Sequence, residues 1–181
     1  MTRKINVRGK KAVFPFLILL LFSSPLMATS WDSGHHELVD GNSYGEVRIY
    51  NDVILDIYGG GISYVFAYDN TLTNWYDGEM GYFVTDNNST ANIYGGVLDI
   101  GLGAAGNSIV NLYAHDVIIT DIGGYWDTGQ LTGKYNLNNQ QFTFDLWGSD
   151  TYTHIITIPE PTTFLLLLSG ILLFRRRRLK Y

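Results

Sequence analysis

The stretch Ser89-Thr90-Ala91-Asn92-Ile93-Tyr94-Gly95-Gly96-Val97-Leu98 decides the fold, because it is written three times. The first copy is Thr71-Leu72-Thr73-Asn74-Trp75-Tyr76-Asp77-Gly78-Glu79-Met80. The third is Ser108-Ile109-Val110-Asn111-Leu112-Tyr113-Ala114-His115-Asp116-Val117. Each copy runs hydroxyl, two residues, Asn, bulky apolar residue, Tyr. An Asn precedes the hydroxyl every time, as Asn70, Asn88 and Asn107. From Tyr76 to Tyr94 is 18 residues and from Tyr94 to Tyr113 is 19; Ile57-Tyr58-Gly59-Gly60 lies a further 18 upstream. A period this short leaves no room for a helix-containing repeat such as ankyrin. It suits one turn of a β-solenoid, whose turns must stack to bury a continuous core.

Strand alternation then assigns faces. With Trp75, Ile93 and Leu112 inside, Asn74, Asn92 and Asn111 form one outward column, and Tyr76, Tyr94 and Tyr113 form another. The opposite choice buries an Asn ladder, which amides can satisfy among themselves. The apolar residues are expected inside. The competing architecture is a β-sandwich of similar strands.

The surrounding sequence agrees on an all-β body. Short runs such as Val53-Ile54-Leu55-Asp56-Ile57-Tyr58, Tyr64-Val65-Phe66-Ala67-Tyr68 and Val117-Ile118-Ile119-Thr120 lie between Gly, Asn, Asp and Ser clusters. After the repeats, Leu131 to Leu137 and Gln141 to Trp147 flank Asn138-Asn139-Gln140. Phe142, Phe144 and Leu146 alternate with polar residues, so this segment predicts a hairpin that caps the exposed strand edges. Residues 151–158 offer a last strand.

The two ends differ from this body. Arg3, Lys4, Arg8, Lys10 and Lys11 precede an apolar run over 12–22, then the small residues of 23–30. This predicts a secretory signal peptide over 1–30, with a signal helix and cleavage after Ala28 or Ser30. At the other end, Pro159-Glu160-Pro161 is followed by an apolar run to Phe174 and by Arg175, Arg176, Arg177 and Arg178. The prolines forbid a helix running back through them. The run over 162–174 predicts a transmembrane helix, though it is shorter than the ~20 residues of a permanent span. The arginines resist translocation and hold the C-terminus in the cytoplasm.

This terminal order resembles the bacterial PEP-CTERM sorting domain, also labelled an ice-binding protein C-terminal domain. The resemblance covers about the last two dozen residues, 158–181, with Pro159, Glu160 and Pro161 as the motif. It implies a substrate of exosortase, a membrane protease-transpeptidase, which would release the body from the inner membrane. It further implies a place at the cell surface or in the extracellular matrix, beside exopolysaccharide or biofilm. The alternative is an ordinary single-pass anchor.

Between the ends, residues 31–157 form one acidic domain. Arg48 and Lys134 are the only basic residues in 31–158, against 16 acids, a formal charge of 2 − 16 = −14. Such a charge argues against nucleic acid and anionic lipid as partners of the body. With no cysteine in the chain, disulfides cannot brace it. No His-Glu-x-x-His, Gly-x-Ser-x-Gly or phosphate-binding loop occurs, so the sequence points away from an enzyme and calls for no cofactor or metal. His35 and His36 are adjacent and would face opposite ways on a strand. His115-Asp116 reads as a solvated corner, and Gly95-Gly96-Val97-Leu98-Asp99 is a poor match to calcium-binding nonapeptides. An exposed column of Tyr76, Tyr94 and Tyr113, with Trp75, Trp126 and Trp147 elsewhere, is the candidate platform for a glycan. Ice binding is not expected, since the aligned outward positions are Asn and Tyr rather than ranked threonines.

Overall fold

The computed structural model describes residues 28–121, 129–148 and 150–160. Most of the signal segment, Trp126, Pro161, the apolar run after it and Arg175 to Arg178 lie outside the described residues.

The body is an all-β solenoid of about five turns. Each turn has two strands, one in each of two facing sheets. The first strands are β1 (Ala28–Trp31), β3 (Ser43–Ile49), β5 (Gly61–Ala67), β7 (Glu79–Thr85) and β9 (Val97–Ala104). The second strands are β2 (His35–Leu38), β4 (Ile54–Ile57), β6 (Leu72–Trp75), β8 (Thr90–Ile93) and β10 (Ile109–Leu112). Consecutive strands alternate between sheets and pair in parallel with the turn above. This is the repeat reading rather than the sandwich, and the repeated Asn-apolar-Tyr motif marks the short strand of each turn.

The inward positions are those expected. Trp75, Ile93 and Leu112 are fully buried, beneath Ile57 in the same column. Opposite them the long strands contribute Val65, Ala67, Phe83 and Leu102. Burying each large side chain stabilises the stack by about 1.5–3 kcal/mol. Trp75 is the largest of them; its ring lies edge-on to Phe83 and its indole N–H donates to the Asp77 carbonyl at 2.9 Å. Thr71, Thr73 and Ser89 bury hydroxyls that find no partner among the described residues.

The corners explain the punctuation of the sequence. At one edge each turn closes through a four-residue turn, with Val53, Thr71, Ser89 and Ser108 N–H groups donating back to residues 50, 68, 86 and 105. Asn51, Asp69 and Asn87 stand there at φ near +57°, +58° and +59°. Asn and Asp are the non-glycine residues that tolerate this region best. At the other edge, Gly60, Gly78 and Gly96 have φ of +90°, +107° and +100°. Side chains are excluded there twice over, since a Cβ on Gly96 would sit 2.4 Å from the Trp75 ring.

The change of period from 18 to 19 has a local cause. Met80 pairs with Leu98, but Tyr82 pairs with Gly101, so β9 carries one extra residue in a bulge at Asp99-Ile100. The ladder absorbs the insertion there and the short strands stay in register.

The cap begins with β11 (Ala114–Asp121), then β12 (Gly129–Tyr135) and β13 (Gln141–Trp147). β12 and β13 form the expected antiparallel hairpin, and β13 lies parallel to β9 on the edge it covers. Phe142, Phe144 and Leu146 face the core. Tyr135 is also buried and donates its hydroxyl to the Gly96 carbonyl at 3.1 Å, tying the cap to a corner. Burial pushes this phenol well above its ordinary pKa. After a single 3-10 turn, Thr151–His154, strand β14 (Ile155–Thr157) extends the six-stranded sheet parallel to β10.

Candidate functional site

Purely parallel sheets are usually covered on both faces. Here the outer face of the six-stranded sheet is covered by its own side chains, in columns. The short strands are four residues long, so positions one and three point outward, and the Tyr just past the end makes a third column.

The middle column is a hydrogen-bonded chain of amides. Asn111 Nδ2 donates to Asn92 Oδ1 at 2.9 Å, and Asn92 Nδ2 donates to Asn74 Oδ1 at 2.7 Å. Asn74 Nδ2 then donates to Asp56 Oδ1 at 2.7 Å. Every donor points towards the N-terminal end, where the chain stops on a carboxylate. A weaker ladder joins Asn107, Asn88 and Asn70 at 3.2 and 3.4 Å along the corner.

Tyr58, Tyr76, Tyr94 and Tyr113 form the third column. Their ring centroids are 4.9, 5.0 and 4.1 Å apart, with interplanar angles of 4°, 7° and 21°. The rings therefore lie face to face along the solenoid axis. An interior ring has both faces occupied by neighbours and turns its edge and hydroxyl outward. Burial among these rings, with Tyr113 beside it, pushes the Tyr94 phenol far above its ordinary range. CH groups of a sugar need an open aromatic face, and Tyr76 and Tyr94 have none to give. The geometry of this column is that of a brace between turns. Trp75 lies in the core. Trp147 is partly exposed, packs edge-on to Tyr82 at 5.6 Å and donates to the Ile100 carbonyl at 3.3 Å.

The remaining candidates separate. His115 and Asp116 share no hydrogen bond: His115 Nδ1 meets Asn136 Oδ1 at 3.2 Å, while Lys134 pairs with Asp116 at 3.1 Å. The pair lies where the β11 register shifts, in a strand rather than a corner. His35 and His36 do face opposite ways. His36 stacks on Trp31 at 4.2 Å, and His35 Nε2 reaches Asp56 Oδ2 at 2.8 Å on the outer face.

One cluster escaped the sequence reading. His35, Glu37 and Asp56 bring ligand atoms within 4.8 Å of one another, and Asp99 belongs to no such group among the described residues. The signal was present as spacing: Glu37 and Asp56 occupy the Asn position of the two turns before Asn74, as their pairing register shows.

Of the residues expected to direct cleavage and sorting, the described ones fall at the edges of the body. Ala28 and Ser30 lie in β1, paired with Glu46 and Arg48 of β3. Pro159 and Glu160 follow β14 after Ile158. The last ladder bond before them runs from Ile158 N–H to the Leu112 carbonyl at 2.8 Å, and Asn136 Nδ2 holds the Ile158 carbonyl at 2.9 Å. No protein family, curated protein or solved structure matches the chain.

Proposed function

We propose that this chain is an exported bacterial protein of the cell surface or extracellular matrix. The general secretory translocon carries it across the inner membrane, and signal peptidase removes the leader. The tail over 158–181 lodges it there briefly, with Arg175 to Arg178 on the cytoplasmic side. Exosortase then recognises Pro159, Glu160 and Pro161 and frees the body. The released solenoid is structural rather than catalytic, and accompanies exopolysaccharide.

The observation that carries this reading is the order of parts in the sequence: leader, acidic repeat body, rigid Pro-Glu-Pro neck, short apolar run, arginine cluster. The body suits the role. It has five braced turns, a formal charge of 2 − 16 = −14 over 31–158, and no cysteine to depend on oxidation. It also ends flush with the neck, since Ile158 is still hydrogen bonded to β10.

The test is an export assay in cells that make exosortase. Glu160→Ala is expected to leave the protein in the membrane, with its tail attached. Truncation after Ile158 is expected to give periplasmic, unsorted protein. Mature wild-type protein that still carries residues 162–178 in such cells overturns the proposal.

A further inference from the structure

The amide column does not end at random. In three successive turns its position is Asn111, Asn92 and Asn74. In the first two turns it becomes Glu37 and Asp56, directly paired across adjacent strands. Like charges so placed repel and destabilise the sheet. An amide at either position would have extended the ladder instead. The repulsion calls for a cation between them, and the neighbouring outward position supplies a nitrogen donor, His35.

The carboxylates are also presented as ligands are. Asp56 is only 8% exposed, although it is an acid on a sheet face. Asn74 fixes its Oδ1 from outside the cluster, which aims Oδ2 at His35. Such an outer partner that fixes a ligand's orientation is the usual companion of a metal-binding carboxylate. Glu37 and His35 are exposed and keep freedom to adjust. Tetrahedral donors with bonds of ~2.1 Å lie about 3.4 Å apart. All three ligand atoms lie within 4.8 Å of one another, and His35 Nε2 and Asp56 Oδ2 stand at 2.8 Å, so ion binding requires that hydrogen-bonded pair to open slightly and the exposed Glu37 to adjust.

We propose that His35, Glu37 and Asp56 bind a divalent first-row transition metal, with zinc the fitting probe, which pins β2 to β4 in the first turn of the solenoid. One imidazole with two carboxylates suits such an ion. Calcium prefers six to eight oxygens and would find few here. The role is to clamp the first turn, which among the described residues has a neighbour on one side only.

The test uses the full chain, freed of metal and titrated with Zn²⁺ by calorimetry, with thermal melts alongside. One saturable equivalent and a raised melting temperature are expected. His35→Ala and Asp56→Asn should each weaken zinc binding at least tenfold. Asp56→Asn continues the amide column, so far-UV circular dichroism should show its fold retained. Absence of saturable binding, or a weakening below tenfold in either folded variant, overturns the site and leaves the hydrogen bond between His35 and Asp56 as its whole meaning. A calcium response as strong as that to zinc overturns it too.

Discussion

Replacing Asn92 by Ala tests whether the amide column is a mechanical part of the fold. Asn92 donates to Asn74 at 2.7 Å and accepts from Asn111 at 2.9 Å. Each bond contributes about 1 kcal/mol net. The column is half-buried, so water reaches the orphaned groups and limits the further penalty. Asn92→Ala is therefore expected to cost about 2 kcal/mol, and Asn111→Ala, which loses a single bond, about 1 kcal/mol. In a domain of this size these correspond to melting shifts of roughly 7 and 3–4 °C. Thermal unfolding followed by circular dichroism reads both. Asn92→Asp sharpens the test, because a carboxylate cannot donate to Asn74 Oδ1. Oxygen facing oxygen disfavours the charged form, so this carboxyl titrates higher folded than unfolded. Its protonated state then restores stability below about pH 3.9 and loses it as pH rises through the higher folded value. The deficit of Asn92→Asp relative to wild type should thus shrink on acidification. If Asn111→Ala costs as much as Asn92→Ala, or if both cost under about 0.5 kcal/mol, the column carries no such load.

Two further outcomes follow from the interior. Thr73→Val removes a fully buried hydroxyl that has no partner among the described residues, beside Leu55 and Ala91 in adjoining strands, and should stabilise the protein by about 1 kcal/mol in the same melt. Gly96→Ala should cost about 3 kcal/mol or more, through a left-handed backbone and a clash with the buried Trp75 ring. Gly41→Ala is its control, since φ there is +83° with nothing within 4 Å, and it should cost only the backbone strain, about 1–2 kcal/mol.

Much of the solenoid was legible because the short strand keeps one Asn-apolar-Tyr pattern through three successive turns. Its Asn must donate to the residue at the same position of the turn before, its apolar residue must fill the core, and its Tyr must stack. Three such demands on consecutive residues leave a repeat visible by eye. The long strands answer only to core volume and to the cap, so they vary: Tyr82 and Gly101 are register partners. The glycine is there because Trp147 lies against it, with a Cβ on Gly101 falling 2.4 Å from that ring. A contact with residue 147 cannot be read from residues near 101. The first turn escaped notice for a related reason. His35-His36-Glu37-Leu38 reads as polar and strand-poor, and its kinship to the repeat shows only once Glu37 is placed over Asp56. The direction of the tyrosine planes was likewise illegible. A period of 18 puts rings in a column but does not say whether they lie flat on the surface or stand stacked.

The flush junction at Ile158 has a consequence for traction. Any pull on the chain beyond it is delivered through Pro159 to a strand of three residues running beside β10. Force directed along that strand shears its hydrogen bonds together, whereas force directed away from the sheet unzips them singly. The junction is therefore stiff in one direction and yielding in the other, and the direction of the pull decides how readily Pro159 and Glu160 part from the sheet.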